Sequence, residues 1–513
     1  MISLPPTSTT AIARAELPPG KSVFQVIARN TAFMLSGQVL IKILAFVFNV
    51  YVVRRLGDVH FGRYSAVLAY VAIFGGLTDL GMSPFSVREM ARQKERIRWM
   101  VPNVMALRGL LSLPVIAGII LSARLLDKTP DMMLGVFVAS CGLLVYAFQG
   151  PLDSVMVARE RLDFSSLFKL SHQVVFMVLG TILLLVGAGY VGLLLASLGG
   201  TLAMGLASGY VVRQIWRLRF EFPDPRRWWP LLRASSPFGI FMVLNVLTRQ
   251  FNTVFMSAVL TDAAVGWYNV PYHLILMMLL LAQSLAVSMY PTLIREYDSG
   301  RRSIRDTVRR ALRYLLLLSL PMAVGGTLLA KRIIILLYGQ EFAPAIPAMR
   351  ILVWALPSMF LAEILGRTVA VMHREKKAVK FVVARVLLNI ALSVALIPRF
   401  GIVGGAVAAV VTGLIQIVLF TVIIGPTMLW ERDTKPLLRV AAAATLVGVV
   451  VWLLRDMPFL ASLDDRIALS LMLAIGAAVY AGAALLFGAI TRGEALYLYG
   501  VARRRVRGWG RAK

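Results

Sequence analysis

Six basic side chains fall inside apolar stretches of this sequence: Lys42, Arg108, Arg249, Arg350, Arg367 and Arg385. A cation at mid-bilayer costs about 2.5–3.5 kcal/mol on insertion scales. Six of them facing lipid would cost roughly 15–20 kcal/mol, more than the net stability of a typical fold. Their presence points to a wet, protein-lined interior. Lys42 and Arg249 lie nearest the middle of their stretches. The other four lie closer to an end, where a long side chain reaches the interface. The acids at comparable depth are Asp79, Asp153 and Glu363, candidates for coupling or for pairing. Glu363 and Arg367 stand four residues apart, the spacing of an ion pair on one helix face. Three acids against six bases leave a cationic interior, which suits an anionic ligand. The planar guanidinium fork matches phosphate oxygens in particular. Asn49, Asn245, Asn252, Gln283 and Asn389 can hydrogen-bond sugar hydroxyls or tie helices together.

Other chemistries find no footing. Gly20-Lys21-Ser22 echoes the end of a phosphate-binding loop, but the first glycine that loop needs falls at Ala15. Cys141 is the single cysteine, so no disulfide framework forms and no zinc site needing two thiolates is available. His60, His172, His273 and His373 show no ligand spacing. The reading is therefore no catalytic residue, no metal and no cofactor: a protein that moves something without covalent chemistry. A membrane glycosyltransferase or ligase, the enzymatic rival, usually carries a sizeable outer loop with catalytic acids. Here the longest outer loop is short, and the only adjacent carboxylates on the outer side are Asp464-Asp465.

The elements that hold these residues are transmembrane helices. The chain has 513 residues, 59% hydrophobic and 15% charged. A soluble domain runs nearer ~45–50% and ~25%. Runs of about twenty mostly apolar residues, the length that spans a bilayer, recur near 31–53, 64–86, 101–122, 132–157, 166–187, 190–212, 235–259, 267–290, 311–330, 346–372, 379–397, 402–424, 437–454 and 467–490. Fourteen spans put both termini on one side. With that side inside, the inner segments hold 38 Lys and Arg and the outer ones 10, so both ends are predicted to be cytoplasmic. The same bias accounts for most of the net charge of +29 without nucleic acid. The basic inner loops and Arg503–Arg507 are expected to rest against anionic lipid headgroups.

The chain also aligns with itself. Leu56-Gly57-Asp58-Val59-His60-Phe61-Gly62-Arg63-Tyr64 matches Leu260-Thr261-Asp262-Ala263-Ala264-Val265-Gly266-Trp267-Tyr268, with Leu, Asp, Gly and Tyr coinciding. Pro84 and Arg88-Glu89 match Pro291 and Arg295-Glu296. Arg159-Glu160 matches Arg374-Glu375, and Gly189, Val191 and Gly192 match Gly401, Val403 and Gly404. An even-numbered repeat of six helices runs parallel, related by a two-fold axis along the membrane normal. The predicted fold is an all-α polytopic membrane protein, two six-helix lobes around a central cavity plus two C-terminal helices. Its parts are a flexible tail at 1–30, a first lobe at 31–212, a basic linker at 213–234, a second lobe at 235–424, the extra helices at 437–490 and a basic tail at 491–513. All six intramembrane cations are expected in that cavity.

The run Leu56-Gly57-Asp58, Phe61-Gly62 and Tyr64, then Asp79-Leu80-Gly81 and Arg88-Glu89, resembles the start of bacterial polysaccharide flippases, the O-antigen and exopolysaccharide translocases of the MOP exporter superfamily. Gly401-Ile402-Val403-Gly404-Gly405-Ala406 is similar to that family's junction between helices 11 and 12. The resemblance implies movement of undecaprenyl-pyrophosphate-linked repeat units across the bacterial inner membrane by alternating access. It implies membrane lipids, and the polymerase and export machinery, as further partners. The alternatives are a lipid II-type peptidoglycan precursor flippase, whose branch also has two extra helices, and a cation-coupled multidrug exporter of the same superfamily, whose cavity would be acidic. A reporter that works only outside the cytoplasm, fused after Lys513, should stay silent; a bright signal would overturn the topology.

Overall fold

A computed structural model describes residues 23–429, 435–455, 457 and 463–489, and among these all regular structure is helical. We label the principal helices α1 (Val23–Asp79), α2 (Met82–Arg92), α3 (Ile97–Leu125), α4 (Pro130–Ala158), α5 (Leu162–Leu185), α6 (Gly189–Tyr210), α7 (Trp228–Val259), α8 (Asp262–Asp298), α9 (Arg301–Leu328), α10 (Ala330–Tyr338), α11 (Ile346–Leu352), α12 (Ala355–Val371), α13 (Glu375–Ile424), α14 (Lys435–Arg455) and α15 (Asp465–Leu486). Among the described residues eleven helices are long and apolar enough to cross a membrane, and the pair Gln340–Leu352 and Ala355–Val371, bent by 52°, makes a twelfth if taken as one span. Two of these are double. α1 breaks at Gly57 (φ 71°) and α13 at Gly401 (φ 56°), backbone conformations that favour glycine. Each double helix is thus two membrane segments, and the fourteen read from hydropathy are accounted for.

Several helices overrun their apolar stretches. α7 starts at Trp228 and α8 continues to Asp298, because polar flanks keep helical geometry past the apolar core. Helix already begins at Val23, inside the stretch 1–30 expected as a tail. Residues 1–22 and the basic tail at 491–513 lie outside the described residues. Local signals fix several starts. Thr129 caps α4 by accepting from the Met132 amide at 3.4 Å, with Pro130 beside it at the first helical position. Thr261 caps α8 by accepting from the Ala264 amide at 3.3 Å.

The first lobe packs α3 on α4 and α6 on both α4 and α5. In the second, α13 packs on α7 and α12, and α9 on α12. α14 and α15 pack on each other, and α14 lies along α9. The lobes meet where α1 packs against α7 and α8.

The sequence repeat governs that meeting. Asp58 and Asp262, Gly62 and Gly266, and Arg63 and Trp267 are aligned pairs. A Cβ on Gly62 would lie 1.7 Å from the Asp262 carbonyl oxygen, and one on Gly266 would lie 2.4 Å from the Asp58 carbonyl oxygen. Arg63 Nε donates to Asp262 Oδ2 at 2.8 Å, and Trp267 Nε1 donates to Asp58 Oδ2 at 3.0 Å. Each loop grips its twin in the way the twin grips it, the signature of a two-fold axis. The Gly189 and Gly401 pair agrees, for both have positive φ at 58° and 56°. Arg63 also reaches Asp131 at 2.9 Å, Arg54 Nε donates to the Leu337 carbonyl at 2.6 Å, and Lys128 donates to the Ser257 carbonyl. These contacts close one end of the bundle. At the other end Gly81 (φ 77°) abuts α7: its Cβ would lie 2.3 Å from the Gly239 nitrogen. Gly62→Ala should wedge the twin loops apart and cost about 1–3 kcal/mol, the usual range for overpacking. A melting temperature unchanged from wild type in detergent would contradict the contact.

Candidate functional site

A cavity of about 1050 Å³ opens among the second-lobe helices, somewhat above the usual ~300–1,000 Å³ of small-molecule sites. α7, α8, α12 and α13 supply most of its wall, with Leu352 from α11, and among the described residues Pro84 is the one first-lobe residue in its lining. The expected central cavity is therefore unevenly shared. α7 offers Asn245, Thr248, Arg249 and Asn252 at helical spacing. Both halves of α13 face the cavity, with Arg385 and Asn389 before the Gly401 break and Thr412 and Gln416 after it.

The lining has layers along the helices. Phe238, Phe241, Tyr290 and Phe420 line the part beside Pro84. Arg249, Arg385, Tyr272 and Gln416 form the middle. Asn252, Tyr268 and Asn389 line the part toward the Asp58 and Asp262 loops. In that last layer Ser393 donates to Asn252 Oδ1 at 2.7 Å, and Asn252 Nδ2 donates to Tyr268 at 3.2 Å. Asn389 Nδ2 donates to Thr412 at 3.4 Å, while its Oδ1 is buried without a partner. Tyr268 and Tyr272 stack at 6.0 Å, interplanar angle 16°.

The arginines of the cavity differ in how they are held. Arg367 Nη1 donates to Glu363 Oε2 at 3.0 Å and to the Glu363 carbonyl at 2.9 Å, and Gln283 donates to Glu363 Oε1 at 3.3 Å. Its charge is compensated. Arg385 Nη1 donates to Gln416 Oε1 at 3.0 Å and Nη2 to Thr248 Oγ1 at 3.4 Å, both neutral acceptors. Its Nε is buried with no partner. Arg249 is exposed on the cavity wall, and Tyr272 donates to its backbone carbonyl at 3.4 Å. Among the described residues neither Arg249 nor Arg385 has a carboxylate within ion-pair distance. Three arginines and one glutamate leave the lining with a formal excess of two positive charges. A lining of that sign favours anions, to which a guanidinium gives charge-assisted hydrogen bonds.

The remaining residues singled out from the sequence lie elsewhere. Arg108 is wholly buried in the first lobe, 3.3 Å from Asp79, with Tyr146 beneath its guanidinium at 5.0 Å. Asp79 Oδ1 also accepts from the Ser83 amide at 3.1 Å and hydroxyl at 2.8 Å, capping the break at Leu80-Gly81. Asp153 accepts from Ser165 at 2.6 Å and pairs with Lys169 at 3.2 Å. Lys42 is exposed on α1 and Arg350 is exposed on α11, neither lining the cavity. Asn49 and Gln283 are outside the lining too. Sequence reading missed Gln416, Thr248, Tyr268 and Tyr272. A signal was present: Thr412 and Gln416, like Tyr268 and Tyr272, repeat at i, i+4 and so share a face within otherwise apolar helix.

Comparison with known proteins bears on this geometry. The model of the family described as "Polysaccharide biosynthesis protein" matches residues 27–296, and the MatE model matches 238–395. The chain belongs to the polysaccharide biosynthesis protein family. Among curated relatives, "Probable flippase AglR" of Haloferax volcanii is 21% identical over 75% of this chain and 81% of its own length. "Probable low-salt glycan biosynthesis flippase Agl15" of the same organism is 25% identical over 44% of this chain, a match that spans only 50% of that protein. Among solved structures, the lipid II flippase MurJ in an inward closed conformation aligns with a TM-score of 0.69 at 15% identity, covering 88% of this chain and 98% of that one. An inward-facing MATE multidrug resistance transporter aligns at 0.58 and 15% identity over 75% and 94%. These structural likenesses concern the fold.

The two kinds of buried charge predict opposite responses. Asp79→Ala strands Arg108 without a counter-charge and should destabilise the protein by about 3–5 kcal/mol. Arg385→Ala removes an uncompensated charge and should leave the melting temperature near or above that of wild type. Equal losses for the two variants, read by thermal unfolding in detergent, would contradict the distinction.

Proposed function

We propose that this chain carries an undecaprenyl-pyrophosphate-linked polysaccharide repeat unit from the cytoplasmic to the outer leaflet of a bacterial inner membrane. It does so by alternating access, with both termini in the cytoplasm and lipids and the polymerase machinery as neighbours. One observation carries the reading: among the described residues Arg249 and Arg385 line one cavity with no carboxylate within ion-pair distance of either. Two uncompensated guanidinium groups there favour the diphosphate linker of such a lipid. The amide and tyrosine groups beside them suit sugar hydroxyls. The polyprenyl chain stays in the bilayer, because transfer of its apolar surface into a polar cavity is unfavourable.

Movement then follows from the two-fold arrangement. With the charge bias setting the sides, the Asp58 and Asp262 loops form the outer seal, and Pro84 and Phe238 mark the inner part of the cavity. Rocking of one lobe on the other would part the twin loops and expose the site outward. Asp79 and Asp153 serve pairing in this scheme, and Glu363 holds Arg367. No covalent step is needed, so the chain acts as a transporter rather than an enzyme. The names of its relatives as glycan flippases support the substrate class. A drug exporter for organic cations fits poorly with a cavity of net positive charge. A lipid II-type flippase shares the diphosphate and differs only in the glycan.

Arg249→Ala should reduce polymer export at least about ten-fold, the loss of one charge-assisted contact, with protein still present in the membrane. Wild-type export by that variant would remove Arg249 from the site. The lipid-linked glycan that accumulates on gene deletion separates the readings: a polysaccharide repeat unit favours the one proposed, and a peptidoglycan precursor favours the lipid II type.

A further inference from the structure

The hydrogen bonds on Arg385 deepen the substrate reading, and the step rests on the proposed flippase function. A guanidinium is a donor only, so every protein partner it takes must present an acceptor. Arg367 takes a carboxylate, Glu363, and is thereby neutralised. Arg385 takes the side-chain carbonyl of Gln416 at 3.0 Å and the hydroxyl of Thr248 at 3.4 Å. Both fix the plane of the fork and neither cancels its charge. Arg249 lies one residue after Thr248 on α7, on the same cavity wall. The Gln416 amide nitrogen donates to no protein group among the described residues, so its two N–H groups remain for a ligand.

We infer that Gln416 and Thr248 are positioning residues that set the charge the site demands. They hold Arg385 rigid beside Arg249 as two full positive charges, matched to a linker that carries one negative charge on each of two phosphorus atoms. A monophosphate diester supplies half that charge and leaves one guanidinium unanswered. The site therefore selects diphosphate-linked over monophosphate-linked glycolipids. A carboxylate at either position would occupy Arg385 as Glu363 occupies Arg367.

The test uses the full chain in lipid nanodiscs and two water-soluble probes, citronellyl diphosphate-linked and citronellyl monophosphate-linked N-acetylglucosamine. Wild type should bind the diphosphate probe about ten-fold more tightly than the monophosphate one, the scale of one added charge-assisted contact. Gln416→Glu should lose about ten-fold or more in diphosphate affinity and bring the two probes near parity. Gln416→Leu, which removes the acceptor without adding charge, should lose less and keep the preference. Thr248→Asp against Thr248→Asn repeats the comparison on the other arm of the fork, should Gln416→Glu fail to fold. Equal losses within each pair, or equal binding of both probes by wild type, would overturn the inference and leave the flippase reading standing. Failure of wild type to bind either probe would overturn the flippase reading itself.

Discussion

An unpaired guanidinium in a protein interior is the constraint around which the rest of this molecule is arranged. Desolvating a charge without a partner is expensive, and the fold gives Arg385 two neutral acceptors, leaving its Nε unpartnered and its charge uncancelled. Gln416 and Thr248 bracket it, and Tyr272 lies near Arg249 on the adjoining helix. That restraint leaves the charge free for a ligand. Arg108 and Arg367 show the other solution, each locked to a carboxylate, Asp79 and Glu363 respectively. The same residue type thus takes a carboxylate partner at Arg108 and Arg367 and neutral partners at Arg385, and the neighbour's charge decides whether the cation is compensated.

The two lobes are twins in backbone and unequal in chemistry. Their shared ancestry is written in the loops at Asp58 and Asp262, where each glycine admits the other loop's carbonyl and each aspartate accepts from the other lobe. Yet one bond is ionic, through Arg63, and the other neutral, through Trp267. The cavity is unequal too, lined by α7, α8, α12 and α13 with, among the described residues, only Pro84 from the first lobe. In the proposed mechanism the symmetric loops supply the seal, and departure from symmetry supplies the site.

Much of this was legible before any coordinates. Hydropathy gave the fourteen segments, and the spaced Leu, Asp, Gly and Tyr gave the repeat, because a contact that uses backbone approach leaves its glycine behind. Glu363 and Arg367 were legible as a pair, since helical spacing alone brings i and i+4 together. The bond between Asp79 and Arg108 was not, for it joins different helices. Nor could depth tell Lys42 and Arg350 from Arg249: the position of a residue along a span says nothing of the direction it faces around the helix. The neutral partners of Arg385 stayed hidden for a third reason. A lone glutamine between Ile415 and Ile417 carries no charge to draw notice, and its meaning appears only when the guanidinium lies against it.

The central claim is that the anion sits between Arg249 and Arg385. It is tested most directly by an electron cryomicroscopy map of the full chain in nanodiscs with the citronellyl diphosphate glycan bound. The account predicts paired phosphate density within hydrogen-bond distance of both guanidinium groups. Density against Arg108, or ligand bound in the cavity with its phosphates turned away from both arginines, would contradict it.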